Sequence, residues 1–225
     1  MDALLDHVIW HTLTGHHAKV ATGRGAVRRY APGFSPIVAF ADPQRPDLDT
    51  LAAFCDPGER FYCDGWSGPV PSGWSLHAES TMLRMVWDGP APEAAPLVCR
   101  PLDVRRDGDA ALALATLTRP GPFGPRTLEL GDYLGCFEGE RLVAMAGERM
   151  HAGTLREISG VCTHPDHQGR GLARRLMVAL MRHEIERGER PFLHVMSGNA
   201  AARGLYERMG FRTHVEVPVR VMSRA

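Results

Sequence analysis

Several things are scarce in this chain of 225 residues, and each scarcity removes a class of function. Net formal charge is absent, 26 Lys and Arg standing against 26 Asp and Glu, so no global field draws nucleic acid or an anionic membrane surface. Lysine hardly occurs. The basic residues are arginines, which with frequent Ala, Gly and Pro point to a GC-rich, bacterial genome. The five cysteines, Cys55, Cys63, Cys99, Cys136 and Cys162, are odd in number and lack the paired spacing of a zinc site or a disulfide framework, which fits a reducing compartment. No apolar run is long enough to span a bilayer. The start, Met1-Asp2-Ala3-Leu4-Leu5-Asp6, carries acids where a secretory leader has basic residues. A cytoplasmic protein with neither nucleic acid nor membrane as partner is the expectation.

What is present can bury a sizeable core in one large domain or two small ones. Leu4, Leu5, Val8, Ile9 and Leu13 stand at helical spacing within residues 2–20, and His16 and His17 at the end of that helix read as exposed or capping side chains. Strands are expected over 36–41, 61–64 and 81–87, with a short helix over 48–54 begun near Asp47. Residues 65–74 are too broken by glycine and proline for regular structure, and Trp66 and Trp74 within them read as a hydrophobic plug, with an exposed recognition surface as the alternative. The proline- and alanine-rich stretch 88–96 is the clearest linker, so residues 1–90 form an accessory lobe and 97–225 a second domain. The second domain opens with a strand over 97–102 and a helix over 110–117 capped by Asp107 or Asp109. A proline-stiffened loop over 119–127 leads to a hairpin, 131–137 and 141–148, turning at Glu138-Gly139-Glu140.

The organising stretch is 155–211. An apolar-rich strand over 155–162 runs into His164-Pro165-Asp166-His167-Gln168-Gly169-Arg170-Gly171, and a helix follows. Leu172, Leu176 and Leu180, with Ala173, Met177, Met181 and Ile185 beside them, make one apolar stripe, and Gly188 is a plausible stop. Two glycines before a helix let the backbone curl so that its amides point into one concavity. The first helical N–H groups have no internal partner and the helix dipole adds positive potential, so a phosphate or pyrophosphate is the natural guest, with Arg170 at hand. The turn is not a mononucleotide loop, since Gly171 is followed by Leu172 where Lys-Ser or Lys-Thr is needed. Nor is it a dinucleotide fingerprint, since Arg174 occupies the third glycine position. A glycine-bearing turn with no ligand stays open on these residues alone. His164 and His167 lack a partner pair nearby, so no metal is expected. Downstream, a strand over 191–196 breaks at Ser197-Gly198, and Asn199 caps a helix that carries Tyr206 and ends at Gly210 before Phe211.

The run Gln168-Gly169-Arg170-Gly171-Leu172-Ala173 resembles the acyl-coenzyme A pyrophosphate loop of the general N-acetyltransferase (GNAT) superfamily: Arg or Gln, two residues, Gly, one residue, then Gly or Ala. Asn199, Ala202, Leu205, Tyr206, Gly210 and Phe211 resemble that family's second signature at the usual distance downstream. The resemblance spans roughly 97–222 and implies a mixed α+β fold whose central, mostly antiparallel sheet is flanked by helices. The accessory lobe more weakly resembles the reduced amino-terminal α/β half of some two-lobed members. Coenzyme A would then thread between two splayed strands against Val161, Cys162 and Thr163. Its pyrophosphate would lie on the amides of residues 169–173, with Gln168 and Asn199 also in contact with the cofactor and the Tyr206 hydroxyl near its sulfur.

The function so implied is transfer of acetyl from acetyl-CoA, or of another acyl group, to the primary amine of a small molecule or peptide amino terminus by direct attack. The alternative is a non-catalytic acyl-CoA-binding or sensing module. Acetylation needs a neutral amine, a stabilised oxyanion and a protonated leaving thiol. Tyr206 is the implied acid, useful without being indispensable. A backbone N–H around Val161 or Cys162 is the implied oxyanion donor. Glu157 and Glu148 are the leading general-base candidates, acting directly, through water or by charge alone. Phe123 and Leu128 are candidates to line the acceptor pocket, and homodimers are common for the fold.

Overall fold

A computed structural model describes residues 3–225. In chain order the elements are α1 (Ala3–Asp6), α2 (Val8–Thr14), β1 (Ala21–Thr22), β2 (Val27–Tyr30), β3 (Val38–Phe40), α3 (Leu48–Ala52), β4 (Arg60–Asp64), β5 (Trp74–Val86), β6 (Arg100–Pro101), α4 (Val104–Thr118), β7 (Tyr133–Glu138), β8 (Arg141–Ala152), β9 (Leu155–Thr163), α5 (Leu172–Glu186), β10 (Arg190–Met196), α6 (Ala200–Met209) and β11 (Arg212–Arg224). The fold is mixed α+β. Eight strands form the central sheet in the order β4-β11-β5-β10-β9-β8-β7-β6. Every neighbouring pair is antiparallel except β9 with β10. A smaller antiparallel sheet, β1-β2-β3, touches the main one through a bridge between Ile37 and Tyr62.

Alternation along the strands gives the two faces of the sheet separate buried clusters. Leu134, Cys136, Ile158 and Leu193 pack under α5, whose Leu176, Met177, Leu180 and Met181 are buried as the apolar stripe requires, and Tyr206 and Phe211 join them. Tyr133, Met145 and Cys162 form the core beneath α4. The amino-terminal helices cover Met150, Leu155 and Phe192.

Several boundaries differ from expectation for local reasons. Helix α4 begins well upstream of residue 110, because Asp103 is the cap, accepting from the Arg105 and Arg106 amides at 3.0 and 2.9 Å. Asp107 instead is buried and takes the Arg100 guanidinium in two bonds of 2.7 and 2.8 Å. Strand β5 is longer than expected, because residues 74–80 pair with β11 while staying mostly exposed, so they show no apolar alternation. It runs between β10 and β11, so the segments on either side of the linker share one sheet. Helix α2 stops at Thr14, and His17 is buried against the Tyr30 hydroxyl at 2.9 Å. Trp66 is buried under the Arg220 guanidinium and Trp74 packs edge-on against Phe61, so both tryptophans are inward-facing. No helix among the described residues is long and apolar enough to cross a membrane.

One buried group in α5 works against folding. Glu184 is fully buried and neither carboxylate oxygen has a hydrogen-bond partner among the described residues. Burial, reinforced by Glu148, holds its carboxyl well above the ordinary 4.5. A carboxyl whose folded pKa is raised stabilises most below the unfolded value, and that contribution is lost as pH rises through the folded pKa. Glu184→Gln is therefore expected to raise stability at pH 8 by about 1–3 kcal/mol in urea unfolding, with a smaller gain near pH 4. An equal effect at both pH values would show that the carboxyl does not titrate on folding.

Candidate functional site

Strands β9 and β10 start side by side and then part. Their parallel register holds only for Arg190 with Leu155, Pro191 with Arg156 and Phe192 with Glu157. Beyond that point β10 stays with β5, pairing Met196 with Met82, and β9 stays with β8. A cavity of about 200 Å³ fills the opening, lined on one side by Ser159, Gly160 and Val161 and on the other by Met196, Asn199 and Tyr206. The β9 edge is bulged there. Its register steps from Met145 with Cys162 to Gly147 with Ser159, so Gly160 and Val161 together oppose the single residue Ala146. Gly160 has φ +61°, and a Cβ on it would stand 3.0 Å from the Tyr133 ring, so both backbone and space call for glycine. The bulge takes these residues out of regular pairing and leaves backbone polar groups on the cavity wall for a ligand.

At the far end of β9 the glycine turn has the geometry an anion needs. Gly169 and Gly171 have φ +74° and +70°, and Gly171 is the N-cap of the 15-residue α5 without any side-chain cap. The first amides of that helix therefore have no protein partner supplied by a cap. Arg175 turns back onto the loop, donating to the Arg170 carbonyl at 2.5 Å and to the carbonyl of Pro96 in the linker at 3.1 Å. Arg170 is half-exposed and only 3.6 Å from Glu138. Gln168 and Leu172 flank the turn, and Ala173 keeps the first helical turn narrow. Uncapped amides at a helix start of this kind suit an anion.

The side chains at the parting of the strands form one buried polar chain. Arg149 of β8 grips Glu157 of β9 with two bonds of 2.9 and 2.6 Å. Nδ1 of His194, on β10, lies 2.8 Å from the same carboxylate, and His194 Nε2 accepts from Arg84 Nε of β5 at 3.0 Å. Since an arginine can only donate, His194 carries its proton on Nδ1 and is neutral, in keeping with a pKa that burial lowers even against the pull of Glu157. Arg84 continues to Asp64 of β4 at 2.5 Å. Burial alone would raise the Glu157 carboxyl, but the Arg149 guanidinium and then His194 outweigh it and hold it at about 2.

The expected site residues fall into two groups. Tyr206, Asn199 and Val161 line the cleft, and burial pushes the Tyr206 phenol up to about 12, so it keeps its proton at neutral pH. Glu157 does not line the cleft but is buried behind Arg149 and His194, which do, and is ion-paired to Arg149. Glu148 lies elsewhere: it is one residue from Arg149, so it faces the opposite side of β8, where Arg187 binds it at 2.5 Å and Arg156 stands 3.6 Å away. Cys162 is buried under α4 with its thiol pushed up to about 11 by burial, and Thr163 ends the strand half-buried. Phe123 packs edge-on against Tyr133, 6.0 Å between centroids, and Leu128 is buried in the α4 core. His164 and His167 are engaged by Arg141 and Glu138.

Between α4 and the sheet the wall is made instead by Arg119, Pro120, Gly121 and Pro122. Arg119 is the C-cap of α4 and the only non-glycine residue with positive φ among those described, at φ 51°, ψ 57°. Glycine is usual at that place, and another L-residue costs roughly 1–2 kcal/mol there. Arg149, His194 and Arg119 carry the polar character of the site and were not singled out from sequence. For Arg149 and His194 the detectable signal was a polar residue at an inward position of an otherwise apolar strand.

Removing the anchor of the buried chain should be felt throughout the fold. Since the Glu157 carboxyl is depressed on folding, its contribution is complete above the ordinary 4.5 and is lost as pH falls toward about 2. At pH 7, Glu157→Gln leaves Arg149 buried without a counter-charge and is expected to cost about 3–5 kcal/mol in denaturant unfolding. A loss below about 1 kcal/mol, the range of surface pairs, would show that the pair is solvated.

Comparison with known proteins gives this geometry relatives. Residues 133–221 match the family model described as FR47-like protein. A mycothiol acetyltransferase of Streptomyces scabiei is 38% identical over 190 residues, covering 84% of this chain and 49% of that protein. One of Thermobispora bispora is 30% identical, covering 72% of this chain and 65% of its own length. The chain thus spans about half to two thirds of these two relatives. A crystal structure of a putative acetyltransferase of the GNAT family from Novosphingobium aromaticivorans superposes with a TM-score of 0.89 at 33% identity, covering 98% of both chains. A GCN5-related N-acetyltransferase from Kribbella flavida shares the fold, with a TM-score of 0.63 at 17% identity.

Proposed function

Because this chain belongs to the GNAT superfamily of acyl-CoA-dependent acetyltransferases, we propose that it moves an acetyl group from acetyl-CoA to the primary amine of a small molecule or a peptide amino terminus. The observation that supports this reading most is the opening between β9 and β10, which carries the glycine turn at one end and the Gly160 bulge beside Tyr206 at the other. Acetyl-CoA supplies an activated carbonyl and a thiol leaving group. The turn residues 168–173 hold its diphosphate with backbone amides, and Arg170 adds charge at the rim.

Gly160 and Val161 offer backbone donors to the carbonyl oxygen as charge builds on it. The amine nitrogen bonds to the carbonyl carbon and the carbon–sulfur bond breaks. Tyr206 donates its phenolic proton to the departing sulfur. One proton leaves the nitrogen to water, and the phenolate regains one, so the balance closes with an amide and a free thiol. Glu157, held at about 2, is too weak a base to take that proton at neutral pH, and its part is to fix Arg149 and His194 beneath the reacting groups. Glu148 lies on the opposite face of β8 and takes no part.

Thiol release from acetyl-CoA in the presence of a panel of amines tests the reading. Tyr206→Phe is expected to lower kcat by about 10²-fold while changing the KM for acetyl-CoA by less than about threefold. Binding of coenzyme A without thiol release for any amine would favour a sensing module, and an unchanged kcat in the variant would remove the acid role.

A further inference from the structure

A second cavity, of about 360 Å³, adjoins the cleft. It shares Met82, Arg119, Pro122, Arg149, His194 and Met196 with the first, so the two meet at those side chains. Its own wall is apolar: Ile9, Ile37, Ala78, Met150, Val219 and Val221. Its charged lining is almost entirely compensated. Arg149 is spent on Glu157, Asp64 on Arg84, and His194 has both ring nitrogens engaged. Arg119 is the exception, exposed and with no hydrogen-bond or ion-pair partner for its guanidinium among the described residues. The cavity therefore has one open positive charge, located where it joins the acyl-transfer cleft. The left-handed backbone of Arg119 belongs to the C-cap of α4, which ends the helix at this junction.

We propose that the acceptor is an α-amino acid with an apolar side chain, its carboxylate bound by Arg119 and its side chain in the cavity of Ile37, Met150, Val219 and Val221. The inference rests on the acetyltransferase reading above and narrows its substrate. In an α-amino acid the amine and the carboxylate share one carbon. A carboxylate held at the junction thus leaves the amine beside the cleft and the side chain free to fill the apolar space. A guanidinium matches a carboxylate with two parallel bonds, a geometry that a neutral amide cannot reproduce. A peptide amino terminus offers no carboxylate at that distance, and a polycation would meet an uncompensated like charge.

The test measures thiol release and binding together. L-Leucine and L-phenylalanine are compared with their amides and with their decarboxylated amines, using the wild-type chain, Arg119→Gln and Arg119→Lys. The amides are the less basic amines and start with the advantage, yet each acid is expected to show a kcat/KM at least about tenfold above its amide. Arg119→Gln should bring that ratio close to one, and Arg119→Lys should restore part of it. A wild-type ratio near or below one, or the same ratio in all three proteins, overturns the proposal and leaves the acetyltransferase reading standing. If no amine releases thiol, calorimetry with L-leucine and the coenzyme A-loaded protein separates the two. Binding that weakens at least about tenfold in Arg119→Gln upholds the carboxylate site while the catalytic reading fails, and absence of binding overturns both.

Discussion

The Glu157 carboxylate stands where two neighbouring strands cease to pair, and it replaces with side-chain bonds what the backbone ladder gives up. Arg149 from β8 and His194 from β10 bind it directly and Arg84 from β5 binds the far side of His194, so four strands are tied at the root of the cleft. Without such a tie, the edges of β9 and β10 would either zip closed or drift apart, since nothing in a ladder that ends at Phe192 sets the angle beyond it. The cluster is buried, so its members cannot be exchanged singly without stranding a charge. This gives the opening a defined width, and the rest of the site depends on that width.

From that root the chain's own residues lay out a path. The Gly160 bulge leaves main-chain groups out of regular pairing on one wall, Tyr206 faces it from α6, and the uncapped start of α5 closes the far end with amides. The amino-terminal part is more than a cover. Strand β5 lies between β10 and β11, supplies Arg84 to the buried cluster and, with β4, walls the apolar cavity. The cleft and the apolar cavity thus share a boundary at Met82, Arg149, His194 and Met196.

What was legible in the sequence was local. Gln168 to Ala173 and the Asn199 cap announce themselves because a turn, a cap and the first turn of a helix are fixed by residues a few positions apart. The apolar stripe of α5 was readable for the same reason. The buried cluster was not, because its members lie at positions 84, 149, 157 and 194 and come together only through sheet order. The base candidates show the limit most clearly. Glu148 and Glu157 look alike in sequence, yet Glu148 faces the helix α5 side, where Arg187 and Arg156 hold it, while Glu157 faces the other side and is buried behind Arg149 and His194. In the apolar loop, Phe123 packs beside Tyr133 close to Gly160 and Leu128 is buried in the α4 core, while the turn at Arg119 adds Pro120 to Pro122 to the cleft wall. The early start of α4 was hidden by Gly108, which argues against a helix until the Asp103 cap is seen.

Backbone amide resonances of the isotope-labelled chain, followed while coenzyme A is titrated in, test directly whether the parted strands receive the ligand as described. The largest shifts are expected at residues 169–173, with a second set at 159–161 across the cleft from Tyr206. Shifts confined to other parts of the chain, with both of these segments unmoved at saturation, would contradict it.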